Sequence, residues 1–225
     1  MTSPNTLSLD KARFNMIEQQ VRPWEVLDPT VLALLDTVPR DLFVSAAHKA
    51  MAYIDMELPL GSGADQVMLA PRVEARLLQD LDVKPHEKVL EIGAGSGYMA
   101  ALLAHRAQRV VTLEIQPELA RMARANLQRA GIQNVEVREA DGAQGTQAEG
   151  PFDVILLSGS VAELPQQLLA QLKLGGRLAA IVGDEPMMRA TLVTRTGDSA
   201  WSTAQPWDTV APRLLNFAQP SRFHF

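Results

Sequence analysis

The residues with the clearest chemical meaning run from Lys88 to Tyr98: Lys-Val-Leu-Glu-Ile-Gly-Ala-Gly-Ser-Gly-Tyr. An apolar strand feeds straight into glycines at alternate positions, Gly93, Gly95 and Gly97, and then into a helix. Without a Cβ, glycine lets the chain turn sharply and lets a ligand lie against the backbone. The spacing is G-x-G-x-G, not the G-x-G-x-x-G of a dinucleotide fold. Two acidic positions follow in register. Glu114 ends the next strand, where its carboxylate can accept from both hydroxyls of a ribose. Asp141-Gly142 ends the strand after that and suits an adenine edge. Singly, Glu114 also reads as a surface carboxylate and Asp141-Gly142 as a plain turn. In register with the glycines, beyond the carboxyl ends of parallel strands, they point to a nucleoside-bearing ligand. An acidic residue can also grip the ribose of NAD. The glycine spacing and the second acidic site favour S-adenosylmethionine.

The elements that position these residues alternate from Lys88 onward. Strands are expected at Val89–Ile92, Val110–Leu113, Val135–Val137, Phe152–Leu157 and Arg177–Val182. Helices are expected at Ser96–His105, at Pro117–Ala130 closed by Gly131, and at Leu164–Leu172 stopped by Gly175-Gly176. Strand and helix in alternation predict an α/β fold, a Rossmann-like, mostly parallel sheet with helices on both faces. Ahead of it, residues 8–27 read as mixed helix, and Asp28-Pro29 caps a helix over Thr30–Leu35 that Val38-Pro39 ends. Residues 52–70 read as irregular, and Pro71 opens a helix with Val73, Leu77, Leu78 and Leu81 on one face. Thr191–Thr196, Gly197-Asp198 and the stretch from Trp201 read as an antiparallel pair. One domain over residues 1–225 is expected. Residues 1–87 form an N-terminal helical extension on the substrate side, 88–185 a cofactor-binding core, and 186–225 antiparallel strands and a tail.

The totals exclude several chemistries. There is no cysteine, which removes disulfides, thiol catalysis and thiolate metal sites and fits a reducing compartment. His48, His86 and His105 lack ligand spacing, so no metal is expected. A net charge of −5 argues against a nucleic-acid partner. Arg106, Arg109, Arg121, Arg124 and Arg129 read as a solvated helix face with paired charges. Met1–Asp10 lacks a charged-then-apolar signal pattern, and no apolar run approaches the roughly 20 residues of a membrane span. A cytoplasmic protein away from membranes is expected.

Motif by motif, the stretch from Val38 to Gly183 resembles the protein-L-isoaspartate O-methyltransferase family. Val38-Pro39-Arg40-Asp41-Leu42-Phe43-Val44 is similar to its V-P-R-E-x-F-V. Ala52-Tyr53-Ile54-Asp55, then Leu58-Pro59-Leu60-Gly61-Ser62-Gly63, is similar to A-Y-x-D-x-x-L-P-I-G-x-G. Glu91–Tyr98 resembles its E-I-G-x-G-S-G-Y loop, and Asp141-Gly142, Phe152-Asp153-Val154-Ile155 and Gln171–Gly176 follow in order. The resemblance implies a methyltransferase that esterifies the stray α-carboxylate of isoaspartyl residues in aged protein, using S-adenosylmethionine. It implies that Gly93, Ala94, Gly95 and Gly97 face the cofactor, Glu114 and Ile115 its ribose, and Asp141 and Gly142 its adenine. A protein or peptide is the implied substrate.

Two departures matter. The family's Q-T-I-S-x-P is Gln66-Val67-Met68-Leu69-Ala70-Pro71 here, so its serine, which lies between cofactor and substrate carboxylate, is Leu69. Its V-T-A-A-A is Leu157-Ser158-Gly159-Ser160-Val161. Ser62, Gln66, Ser158 and Ser160 are candidates to replace the lost donor, or else ordinary loop and strand-end hydrogen-bonders. Gln19–Trp24 and the tail from Pro212 to Phe225 fall outside the pattern. Tyr98 reads as a wall of the cofactor site or as a core tyrosine. Met187-Met188 reads as local packing, and Trp201, Trp207, Phe217, Phe223 and Phe225 as aromatic packing on the sheet. The alternatives are a methyltransferase of the same family with another acceptor, a non-catalytic S-adenosylmethionine-binding protein, and an NAD-dependent oxidoreductase.

Overall fold

The computed structural model describes residues 4–219. Helix α1 (Pro4–Asn15) continues as a π-helical turn (Met16–Val21) and a 3-10 turn (Arg22–Trp24) that contains Pro23. The mixed helix expected over 8–27 is thus three helical forms in series. Asp28 caps α2 (Pro29–Thr37), its side chain accepting from Thr30 N at 2.7 Å. Strands β1 (Leu58–Pro59) and β2 (Val67–Met68) pair antiparallel, closing the Gly61–Gly63 loop within the stretch expected to be irregular. Helix α3 (Pro71–Leu81) follows and buries Val73, Leu77, Leu78 and Leu81.

Beyond α3 come β3 (Lys88–Ile92), α4 (Tyr98–Ala104), β4 (Arg109–Glu114), α5 (Pro117–Arg129) and β5 (Val135–Glu139). Then come β6 (Phe152–Val161), α6 (Gln166–Leu169), β7 (Leu172–Asp184), β8 (Met187–Gly197) and β9 (Ala200–Asp208). Seven strands form one sheet in the order β5-β4-β3-β6-β7-β8-β9. The strands from β5 to β7 are parallel; β8 and β9 return antiparallel. The order in which successive strands are added reverses between β3 and β6, and that switch point opens the crevice where ligands sit in such folds.

Strand parity separates two apolar layers. Val89, Val110, Val154 and Leu156 face the side holding α2, α3 and α4. Leu90, Ile92, Val111 and Leu113 face the side holding α6 and Phe217.

Some boundaries differ from expectation. The helix expected at Leu164–Leu172 is only Gln166–Leu169, capped by Pro165. Leu172 already pairs with Phe152 in the sheet, and Gly175 at φ 79° is an irregularity inside β7 instead of a helix stop. Strand β6 runs on to Val161, because its register with β7 shifts and resumes at Ser160 and Val161. Strand β8 begins at Met187, directly after a two-residue turn. Helix α4 starts two positions late, because Gly97 adopts a left-handed conformation, φ 83°, as its N-cap.

Gly97 combines that φ with a close approach to α5, where an added Cβ would lie 3.2 Å from the Ala123 backbone. Gly131 has φ 73° but open space around it. Gly97→Ala is expected to cost about 1–3 kcal/mol of stability. Gly131→Ala, carrying strain alone, should cost about 1 kcal/mol. Urea denaturation of both variants checks the ranking.

Candidate active site

A cavity of about 250 Å³ opens at the carboxyl ends of β3 and β4. Gly93, Gly95, Glu114, Asp141, Ser158 and Leu214 are on its wall. The glycine turn is built by its own conformations, φ 91° at Gly93 and 51° at Gly95. Glu114 is buried and binds the turn directly: Oε2 accepts from Gly95 N at 2.9 Å and Oε1 from Gln116 N at 3.0 Å. Each oxygen keeps a lone pair for a further donor. Asp141 Oδ1 accepts from Ala143 N at 2.9 Å, an Asx turn that sets the carboxylate at the cavity edge.

Ile115 and Gly142 also border the cavity. Ala94 borders a smaller neighbouring void, and Gly97 packs against α5, so neither is on the main wall. In sequence the glycines look alike; in space Gly93 and Gly95 border the cavity, with Leu214 and Leu60 packed close to them, and Gly97 leaves room for a helix.

One wall came from nothing in the glycine pattern. Residues 212–217 cross the cavity: Ser160 N donates to Pro212 O and Leu214 N donates to Ser160 O. Asn216 Nδ2 then donates to Asp141 Oδ2 at 2.8 Å, and Phe217 is buried beside the cavity. The apolar residues Leu214, Leu215 and Phe217, interrupted by Asn216, are the local signal for this strap. Of the other aromatics, Trp207 donates to Asp80 Oδ2 at 2.7 Å, whereas Trp201 is exposed on β9. Phe223 and Phe225 lie outside the described residues. Met188 is buried but Met187 is exposed, so only the first packs.

The candidate donors separate cleanly. Ser62 is exposed and off the cavity wall. Gln66 is on the wall, but its Oε1 accepts from Gly63 N at 3.2 Å within its own loop. Ser160 is fully buried, off the wall, and its hydroxyl lacks a partner. Ser158 is on the wall and donates to Glu91 Oε1 at 2.8 Å.

Leu69 is buried, and its backbone is fixed from behind. Arg40, fully buried, donates to the Leu69 carbonyl at 2.6 Å and forms an ion pair with Glu74 of α3. The guanidinium also lies 5.2 Å from the centre of the Tyr98 ring, which packs edge-on against Phe43. Tyr98 is therefore a core residue. Burial pushes the Glu74 carboxyl up to about 7, with Arg40 pulling the other way. Burial likewise pushes Glu91 up to about 8; nearby hydroxyls offset this in part, and the charges of Glu74 and Glu114 add to it.

Four of the five arginines grouped in the sequence have partners within the chain, Arg106 among them through the Thr30 hydroxyl. Arg109 pairs with Glu136, Arg124 donates to the Val137 carbonyl and Arg129 to the Leu42 carbonyl. Among the described residues no cluster of acidic or imidazole side chains has metal-binding geometry, and no helix is long and apolar enough to cross a membrane.

Two measurements test this frame. Arg40→Met strands Glu74 and is expected to cost about 3–5 kcal/mol, part of which Arg40→Met with Glu74→Leu recovers; chemical denaturation reads both. Glu91 holds its proton up to about pH 8 when folded but releases it near 4.5 when unfolded. The folded chain thus binds the extra proton within that window, and stability falls as pH rises through it. Glu91→Gln should flatten that slope in thermal melts taken across the same range.

The comparisons with known proteins agree with this geometry. The profile of the family Protein-L-isoaspartate(D-aspartate) O-methyltransferase (PCMT) matches residues 12–209. That span takes in Gln19–Trp24, which the motif comparison left outside, and stops short of the strap. Protein-L-isoaspartate O-methyltransferase 1 of Syntrophobacter fumaroxidans is 43% identical over 83% of this chain and 86% of its own. The protein-L-isoaspartate O-methyltransferase of Methanoculleus marisnigri is 44% identical over 77% of this chain and 78% of its own. Among solved structures, a Plasmodium falciparum protein described as a protein-L-isoaspartate O-methyltransferase, in complex with S-adenosyl-L-homocysteine, superposes with a TM-score of 0.74. It is 20% identical, and the match covers 91% of this chain and 98% of that one. With its fold, its glycine turn and these relatives in agreement, the chain belongs to the protein-L-isoaspartate(D-aspartate) O-methyltransferase family.

Proposed function

We propose that this chain transfers the methyl group of S-adenosylmethionine to the α-carboxylate of isoaspartyl residues in protein. The observation that carries the reading is the convergence of the glycine turn, Glu114 and Asp141 on one cavity, in a chain of this family. The residues fit the cofactor. Gly93 borders the cavity with no side chain of its own, and a Cβ there would lie 3.0 Å from Leu214 of the strap. Glu114 has acceptor capacity left for ribose hydroxyls, and Asp141 has it for an adenine amine.

S-adenosylmethionine supplies an electrophilic methyl carbon on a sulfonium sulfur. The acceptor needs no general base: an α-carboxylate with a pKa of about 3.5 is already ionised at neutral pH. Its oxygen forms the new bond to the methyl carbon as the carbon–sulfur bond breaks, and the electron pair leaves with sulfur. The chain's work is therefore alignment and exclusion of water. Leu69 contributes an apolar wall where the family pattern has a hydroxyl. Losing a donor to a charged acceptor costs about 1.5–3 kcal/mol where nothing replaces it. Leu69 also favours the second reading, a family methyltransferase with a less polar acceptor.

The test is transfer of label from S-adenosylmethionine to an isoaspartyl peptide, with the matched aspartyl peptide as control and S-adenosylhomocysteine binding measured on the same sample. Base-labile label on the isoaspartyl peptide alone supports the proposal. Bound cofactor product without transfer overturns it and turns the search to other acceptors. In the same binding assay, Glu114→Ala removes the ribose acceptor and the anchor of Gly95, so affinity should fall at least about tenfold, the equivalent of about 1.4 kcal/mol.

A further inference from the structure

Leu69 borders a void of about 20 Å³, and Ser158, Glu91 and Glu74 border the same void. Ser158 also lies on the wall of the larger cavity, so this residue borders both spaces. Behind it, 2.8 Å away, is Oε1 of Glu91. Glu91 is fully buried, and its Oε2 has no hydrogen-bond partner.

The groups facing Glu91 are hydroxyls and other carboxyls. Thr112, its register partner on β4, presents a buried hydroxyl. Glu74 from α3 and Glu114 from the end of β4 add negative charge. The guanidinium of Arg40 is committed to Glu74 and to the Leu69 carbonyl. A buried carboxyl with like charges nearby and no cation of its own favours its neutral form.

Protonation sets which ways Ser158 can point. An ionised carboxylate only accepts, so it would hold the serine's single proton inward. A neutral carboxyl has an O–H of its own, which can donate to Ser158 Oγ. The serine proton is then free to point into the cavity. No proton changes hands in this arrangement; only the direction of a hydrogen bond changes.

We propose that Ser158, backed by neutral Glu91, donates the hydrogen bond that orients the acceptor carboxylate, in place of the hydroxyl absent at position 69. This rests on the reading of the chain as a carboxylate methyltransferase. Ser158 touches the acceptor; Glu91 is a positioning residue that acts through it. Ionisation of Glu91 recaptures the serine proton, so turnover falls on the alkaline side.

The experiment follows S-adenosylhomocysteine release with the isoaspartyl peptide, because methyl esters hydrolyse at high pH. The full chain, Ser158→Ala and Glu91→Gln are compared. Ser158→Ala should lower kcat/KM at least about tenfold, as expected for one lost donor to a charged group, while S-adenosylhomocysteine affinity stays within about twofold. The unsubstituted chain should lose activity severalfold between about pH 7 and about pH 9, tracking the ionisation of Glu91. Glu91→Gln, whose amide donates to Ser158 at every pH, should lack this alkaline fall. A Ser158→Ala variant within about twofold of the parent, or an unchanged alkaline fall in Glu91→Gln, overturns the proposal. Should Glu91→Gln not fold, the profile of Ser158→Ala decides: it is flat if the two residues act as a unit and falls as before if they do not. An unsubstituted chain that binds S-adenosylhomocysteine but does not turn over the peptide overturns the functional reading itself, and this inference with it.

Discussion

The structure around the site depends on one buried charge. Arg40 carries its guanidinium charge fully buried. Burying it is costly unless partners surround it. Its partners come from separate segments: the Glu74 carboxylate from α3, the Leu69 carbonyl from the end of the 58–70 loop, and the Tyr98 ring from the start of α4. One side chain therefore fastens the N-terminal helices, the loop and the first turn after the glycines to one another. The hold on position 69 is through its carbonyl, so it does not depend on the side chain there. A serine or a leucine can occupy that position with the same backbone. The grip of Arg40 on position 69 is thus independent of the side chain that position carries.

Much of this was legible in the sequence where the controlling signal was local. Asp28-Pro29 announced α2, Pro117 and Gly131 bounded α5, and the apolar runs of β3, β4 and β6 gave the parallel sheet. Glu114 and Asp141 were found from their register with the glycines, and both reach the cavity. The misses have non-local causes. Gly175-Gly176 looked like a helix stop, but Leu172 pairs across to Phe152, and only the partner strand reveals that. Gly97 shares a motif with Gly93 and Gly95, yet its neighbour is Ala123 of another helix. The strap over residues 212–217 is set by its bonds to Ser160 on β6, far away in the chain. The Ser158–Glu91 contact likewise follows from the pairing of β3 with β6. Sequence reasoning named Ser158 among equals, and the sheet register brings it within hydrogen-bond distance of Glu91.

The two glutamates that flank the glycine turn illustrate how position sets role. Glu114, at the end of β4, receives N–H donors from Gly95 and Gln116 and so shapes the turn. Glu91, inside β3, receives no backbone donor, because the strand's own N–H groups are committed to the sheet. Parity turns its side chain toward α3, among Val89, Val110 and Val154, with Ser158 and Thr112 as its polar company. In that setting the neutral acid is the low-energy form. A carboxyl kept neutral inside a protein can donate a hydrogen bond that a carboxylate cannot.

Carboxylate methylation makes such a substitution tolerable. A reaction whose nucleophile is already ionised asks the protein for no proton transfer, only for a donor at the right distance and direction. The hydroxyl that meets this need has no covalent role, so nothing ties it to one position in the chain. It can sit on the loop after β2 or at the strand end of β6, provided it borders the same volume. Here Leu69 and Ser158 border one void, and the hydroxyl is on the strand. A donor on a strand of the central sheet is held more firmly than one on a loop. Its cost is dependence on a buried acid: the serine offers its proton outward only while Glu91 keeps its own. Moving the donor from loop to strand thus converts a pH-indifferent contact into one linked to the ionisation of the carboxyl behind it.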